Sequence, residues 1–237
     1  MANLINGEYV LYDSLTQEET LSLRNKCIED ILENNGLMCQ IPGCLAAILC
    51  LKVENQDESF CSDKIIKLIE LFLVKSKTHK LFYGSFKENE IQQVYDLINN
   101  SNVDINYDDI DIYLLGQTFI KIVRDNSIPL LPNAVNEELF DAYVNYNPIK
   151  QKKIIKRVPF IVNSRNRIFL ILLQNLFKNI EKKKKFSGTS KNDLLHIFGP
   201  IVFKGNLYKK QVHGYHRMVI LEDVLNTDML KVDKNII

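Results

Sequence analysis

LLGQTFIKIVRDNSIPLLP, residues 114–132, reads as an amphipathic helix followed by an enforced stop. Pro129 and Pro132 fix their own φ and push the preceding residues toward extended backbone, so the segment IPLLP cannot continue a helix. Upstream lies NNSNVDINYDD, residues 99–109, a polar loop whose carboxylates meet the start of the helix. Negative charge is favoured there by the unpaired N–H groups and the helix dipole. The helix is predicted to run to about Arg124.

Working outward, the same alternation of caps, apolar stripes and stops recurs. Downstream, a helix carries Leu139, Phe140, Tyr143 and Val144 and is stopped by Asn147-Pro148; a further one runs through Ile154, Ile155 and Val158. Ser164 opens the longest stripe, Ile168, Ile171, Leu172, Leu176 and Ile180, which ends in four lysines. Ser190 and Asp193 start another helix with Leu194, Ile197 and Phe198 on one face, and Gly199-Pro200 reads as its stop. Beyond it, residues 205–214 are weakly patterned, HGYHR (213–217) reads as an exposed loop, and Met218 to Leu230 as a short helix. Upstream, Ser85 and Glu88 have capping-box spacing ahead of Ile91, Val94, Tyr95 and Ile98, and Asp63 precedes Ile65, Ile66, Leu68, Ile69, Phe72 and Leu73. Thr16 and Glu19 repeat the signal before Leu23, Cys27, Ile28, Ile31 and Leu32, with Asn35-Gly36 as the stop. IPGCLAAILCLKV, 41–53, is apolar on nearly every side, and the polar VENQDES, 53–59, reads as a linker. No sustained run of strands joined by hairpin turns occurs. The prediction is an all-α helical bundle, with an N-terminal helical extension at 1–58 and the main helical domain at 59–230.

Composition narrows the function. Thirty Lys+Arg against 29 Asp+Glu give a net charge of +1, so any anionic partner must be met by a local patch. Cys27, Cys39, Cys44, Cys50 and Cys61 are odd in number, form no CxxC and lie far from a histidine, which argues for free thiols in a reducing compartment and against zinc. Neither GxGxxG nor GxxxxGK[ST] occurs, nor HExxH or GxSxG, so no cofactor, metal or intrinsic catalytic activity is expected. The longest continuous apolar stretch, Cys44 to Leu51, is eight residues against the roughly 20 that span a bilayer. No secretory signal is recognisable at the N-terminus, and a cytoplasmic protein, at most peripheral to a membrane, is the expectation.

Three segments in this order, LFYGSFKENEIQQVYDLI (81–98), LLGQTFIKIVRDNSIPLLP (114–132) and TSKNDLLHIFGPIVF (189–203), resemble the Rho-type GTPase-activating (RhoGAP) domain over residues 63 to about 204. The resemblance implies an all-helical fold that docks on a Rho-family or related small GTPase. The family shows a step like GIFR-x-SG at the first segment, LLK-x-FLRELPEPL at the second and NKMT-x-x-NLA-x-VFGP-x-L at the third. Its catalytic arginine falls on Tyr83, its lysine on Ile120 and its NLA asparagine on Asp193, with Asn192 one position early. Arg124, Pro129, Leu130, Leu194, Phe198, Gly199 and Pro200 fit. Lys121 adjoins the lysine position but points about 100° away on a helix, so a register shift is needed for it to substitute.

The resemblance thus implies a partner-binding surface made of Tyr83, Lys87, Lys121, Arg124, Asn192 and Asp193, without the arginine that neutralises charge on a transferring phosphoryl group. That arginine is worth roughly 10³ to 10⁵ in rate, and tyrosine carries no cation. The reading is a small-GTPase-binding regulatory domain with weak or no activating power. Two alternatives stand beside it: an active activator using a displaced Arg or Lys, Lys80 and Lys87 flanking the loop, and a helical scaffold or membrane-associated adaptor that binds no GTPase. Two basic tracts bear on the last. KQKKIIKR, 150–157, sets Lys150, Lys153 and Arg157 close to one helix face as a weak anionic-membrane contact, and EKKKK, 181–185, ends a helix where cations are favoured. Neither has interleaved aromatics, so nucleic acid is not expected.

Overall fold

The computed structural model describes residues 4–5, 9–32, 59–100, 105–204, 214–233 and 236. Its helices are α1 (Gln17–Leu32), α2 (Asp63–Val74), α3 (Glu88–Asn100), α4 (Ile112–Asp125), α5 (Asn133–Val144), α6 (Pro148–Ile155), α7 (Val158–Ile161), α8 (Ser164–Lys182), α9 (Lys184–Ser187), α10 (Lys191–Val202) and α11 (Gly214–Leu225). The molecule is a helical bundle, as its caps and stripes predict. Cys39, Cys44, Cys50, the apolar segment 41–53, the Asn35-Gly36 stop and nearly all of the linker lie outside the described residues.

Several helix starts follow the sequence signals. Thr16 N–H donates to Glu19 Oε2 at 2.8 Å and Glu19 N–H returns to Thr16 Oγ1 at 3.2 Å. Ser62 caps α2 by accepting from Ile65 N–H, and Asp111 caps α4 by accepting from Tyr113 and Leu114 N–H. The 85–88 signal is displaced: α3 begins at Glu88, and Glu90 is the carboxylate that reaches back, accepting from Lys87 N–H at 2.8 Å. This frees Glu88 for α4.

The core is continuous. α1 buries Leu23, Cys27, Ile28 and Ile31 against α5 and α7, and α2, α4, α8 and α10 meet around an aromatic cluster. Within it Phe82 sits edge-on to Phe72 (5.3 Å between centroids) and Phe198 (5.2 Å), and Phe198 also meets Phe119 and Phe177. Only Ile98 of α3 is fully buried, while Val94 and Tyr95 are half-buried, so α3 is a flank lying on α4.

Three expectations are corrected. First, α8 is rotated from the stripe read for it: the buried face is Asn166, Arg167, Phe169, Leu170, Leu173, Leu176, Phe177 and Ile180, and Ile168 is exposed. The run IFLILL is apolar in all directions, so periodicity cannot set its phase, and two polar side chains set it instead. Asn166 Oδ1 accepts from Cys61 N–H (3.0 Å) and Ser59 Oγ (2.8 Å). Arg167 donates to Met229 O (2.7 Å) and stacks 3.6 Å over the Tyr12 ring. Second, Gly199-Pro200 does not stop α10, which continues to Val202 with Pro200 inside it. Gly199 serves a close approach instead, since a Cβ there would lie 2.8 Å from Met218 Cα of α11. Third, Tyr215, His216 and Arg217 open α11 rather than forming a loop, and that helix ends at Leu225. Beside the helices, a small antiparallel sheet pairs early and late residues: β1 (Leu4–Ile5), β2 (Tyr9–Leu11) and β3 (Lys231–Asp233), with Val10 opposite Val232. Strands of two or three residues are too short to show alternation in sequence.

Candidate functional site

The site is built around the loop between α2 and α3. Lys80 adopts φ 50°, and its N–H donates to Ser187 O at 2.6 Å, fastening the loop's entry to α9. Leu81 and Phe82 turn into the core. The backbone then lies so close to α4 that a Cβ at Gly116 would stand 2.6 Å from Leu81 O, and Gln117 Nε2 donates to Phe82 O at 2.6 Å. With Phe82 held on both sides, the next residue is thrust outward: Tyr83 is 47% exposed.

Asp193 lies close enough to act on the Tyr83 phenol, whose pKa is raised by partial burial and then by that negative charge. Asp193 itself is the third residue of α10. Its Oδ2 accepts from Ser190 N–H (2.7 Å) and Ser190 Oγ (2.7 Å), while its own N–H donates to Ser190 Oγ at 3.2 Å. These bonds, the backbone one foremost, hold its pKa below the ordinary carboxylate value, with smaller help from His196 and Lys184. Because the folded value lies under the unfolded one, the stabilisation is complete above the unfolded value and is lost as pH falls through the folded one. Asp193→Ala is therefore expected to cost about 1 kcal/mol at neutral pH, and the gap to wild type should close below about pH 4, as followed by thermal melts across that range. Asn192 beside it is exposed, its carbonyl 2.9 Å from His196 Nδ1.

The remaining predicted residues lie farther along α4 and α3. Ile120 is buried, so the register shift that would bring Lys121 to its place is absent. Lys121 instead turns to α3: its Nζ is 3.1 Å from Glu88 Oε1 and 3.1 Å from Asp125 Oδ2, and 5.5 Å from the centre of the Tyr95 ring. Hydrogen bonds to Glu88 and then Asp125 raise its pKa, and its charge is neutralised within the molecule. Lys87 is exposed at the foot of α3.

Arg124, eight residues beyond Gly116 and so about 12 Å along the helix axis, is exposed and its side chain makes no ion pair or hydrogen bond with the described residues. The capping of this helix end falls to Lys204, which sequence reasoning missed. Its Nζ donates to Val123 O (2.7 Å), Asn126 O (2.7 Å) and Arg124 O, placing a cation against the negative end of the helix dipole. Burial lowers the Lys204 pKa. No local pattern could have announced it, because the lysine arrives from the far end of α10.

Three cations of the α6 tract have partners inside the molecule, while Lys152 and Lys156 are exposed. Lys150 pairs with Glu138 (2.5 Å) and Asp141 (3.5 Å), Lys153 donates to Asp30 O, and Arg157 pairs with Asp30 at 2.8 Å. These three residues, read from the sequence as a weak anionic-membrane contact, close α6 and the start of α7 onto α1 and α5. Among the described residues, no helix is long and apolar enough to cross a membrane.

Comparison with known proteins converges on one fold. The structure is similar to that of human Rho GTPase activating protein 15 (ARHGAP15), with a TM-score of 0.57 and 18% identity over 74% of this chain and 84% of that one. It is likewise similar to the BH domain of GRAF, the GTPase regulator associated with focal adhesion kinase (TM-score 0.54, 16% identity, 71% and 90% covered). An uncharacterized protein of Encephalitozoon cuniculi (strain GB-M1), ECU09_1400, is 23% identical over 199 residues, 82% of this chain and 81% of that protein. The RhoGAP domain family model matches residues 62–206, from the cap of α2 to just beyond α10, a span that contains all three segments of the site. The chain belongs to the RhoGAP domain family.

Proposed function

We propose that this protein is a small-GTPase-binding regulatory domain of the Rho-GAP type with weak or no GTPase-activating power. The observation that carries the reading is Tyr83: the loop is seated by Phe82, Gly116 and Gln117, yet the residue it projects has no cation. The exposed Tyr83, Lys87, Arg124 and Asn192, with Asp193 and Lys121 beside them, form the partner-binding surface in this reading. Residues 1–58 are read as an extension added to a domain over 59–230, and the packing of α1 on α5 and α7 suits a supporting role. An activator with a displaced cation is disfavoured at Lys121, whose two carboxylate partners hold it away from a phosphate.

The test is paired. Binding to Rho-family GTPases carrying GDP or a non-hydrolysable GTP analogue is measured by titration calorimetry, and single-turnover GTP hydrolysis is measured with and without this protein. Binding with less than about tenfold acceleration is expected, against the roughly 10³ to 10⁵ of an arginine-supplied activator. Acceleration of a thousandfold or so, abolished by changing one Arg or Lys, would establish the displaced-cation reading. Absence of binding in both nucleotide states would leave a helical scaffold.

A further inference from the structure

In the α6 tract Lys150, Lys153 and Arg157 have partners inside the molecule; the second basic tract is the more open one. The turn after α2, residues 75–80, and the segment 182–188 are separated by about a hundred residues in sequence but lie side by side. Lys183 Nζ donates to the buried Ser76 Oγ at 2.7 Å, Lys80 N–H donates to Ser187 O, and Gly188, at φ +60°, packs against the His79 ring. Both segments are lysine-rich, so the contact pools their charge. Lys77, Lys80, Lys182, Lys184 and Lys185 are all exposed, and none forms an ion pair with a described residue.

The carboxylates nearby are engaged elsewhere. Asp108 pairs with Lys75, Glu181 accepts from Lys191 N–H, and Asp193 caps α10. In the middle of the lysines stands Phe186, 68% exposed, on a short helix whose next residue, Ser187, is buried. An aromatic ring left in water among unpaired cations is the combination that settles on an anionic bilayer, where the ring enters the headgroup region and the ammonium groups meet phosphates. Nucleic acid is the poorer fit, because a single ring provides no succession of stacking platforms.

We infer that the patch formed by Lys77, Lys80, Lys182, Lys184, Lys185 and Phe186 is a docking surface for an anionic phospholipid bilayer. It adjoins the Tyr83 loop through Lys80, whose carbonyl accepts from Tyr83 N–H at 2.9 Å, so a membrane-bound protein would hold that loop close to the bilayer plane. The inference does not depend on the GTPase reading, and its test contains no GTPase.

Sedimentation of the full chain with vesicles of phosphatidylcholine, with and without about 30% phosphatidylserine, reads it out at about 0.1 M salt. Binding to the anionic vesicles alone is expected, falling as salt is raised. Lys184→Glu with Lys185→Glu should lower partitioning at least about twentyfold, since each lysine near such a surface contributes about fivefold. Phe186→Ala, which leaves every charge in place, should lower it about three- to tenfold. Lys152→Glu with Lys156→Glu, exposed positions on the other tract, should change it by less than about twofold, and melts check that each variant is folded. Equal binding to neutral vesicles, absence of binding, indifference to the 184/185 pair, or loss through the 152/156 pair would each overturn the assignment. So would tighter binding to a duplex RNA oligonucleotide that the 184/185 pair removes.

Discussion

Tyr83→Arg is expected to raise single-turnover GTP hydrolysis by a bound Rho-family GTPase about a hundredfold over the wild-type protein. The loop has room for an arginine. Phe82 is anchored among Phe72 and Phe198, Gln117 holds its carbonyl, and position 83 points outward with 47% of its surface free, so a longer polar side chain meets no core atom. What tyrosine lacks is a permanent charge and a planar fork of donors to match the oxygens of a phosphoryl group in transfer. A hundredfold corresponds to about 2.7 kcal/mol of barrier, less than the full arginine effect of roughly 10³ to 10⁵. The shortfall has two named sources: Ile120 occupies the lysine position and faces the core, and Asp193 carries a negative charge where the family has asparagine. Tyr83→Lys, a point charge without the fork, should gain markedly less. Partner affinity should shift only a few-fold, so the gain appears in rate rather than in saturation. A wild-type protein that already accelerates by three orders of magnitude, or an arginine variant that gains nothing while still binding, would refute the missing-cation account.

Much of this arrangement was legible before any coordinates. The caps at Thr16 and Ser190 and the stop at IPLLP are short-range signals, because each depends on groups within a few residues of one another. What could not be read is what the tertiary structure alone decides. The burial of Asn166 and Arg167 follows from an N–H and a hydroxyl supplied by Cys61 and Ser59 and from the Met229 carbonyl and the Tyr12 ring, and it turns α8 away from its apolar reading. Pro200 lies within α10 directly after two residues held by tertiary contacts, Phe198 in the core and Gly199 against α11. Charge was the least legible property: in the α6 tract Glu138, Asp141 and Asp30 pair with Lys150 and Arg157 while Lys152 and Lys156 are exposed, and at 182–185 Lys182, Lys184 and Lys185 are exposed and form no ion pair with a described residue.

Phe198→Ala is expected to destabilise the fold by about 3–5 kcal/mol and to loosen the Tyr83 loop in the same step. Phe198 has no exposed surface, and its ring is in contact with Phe82, Phe119 and Phe177, which belong to the loop, to α4 and to α8. Truncation removes the apolar area of the ring and leaves a cavity bounded by three elements that cannot all close upon it, since the α4 backbone is already in contact with the loop at Gly116. Phe82 bears the consequence. Its edge-on contact with Phe198 is lost, and Phe72, the Gln117 bond to its carbonyl and the close approach of Gly116 remain to hold the loop from which Tyr83 projects. Phe198→Leu, which refills part of the volume, should cost less than half as much. Urea unfolding followed by circular dichroism measures the global term, and amide exchange at residues 80–84 measures the local one. Exchange should accelerate there by more than at the Thr16 cap of α1, which lies in another part of the core. A loss under about 1 kcal/mol would mean that Phe198 is not the keystone of the loop's seat, whereas a full loss with uniform acceleration would mean that the loop is held by Gln117 and the Gly116 contact rather than by the aromatic cluster.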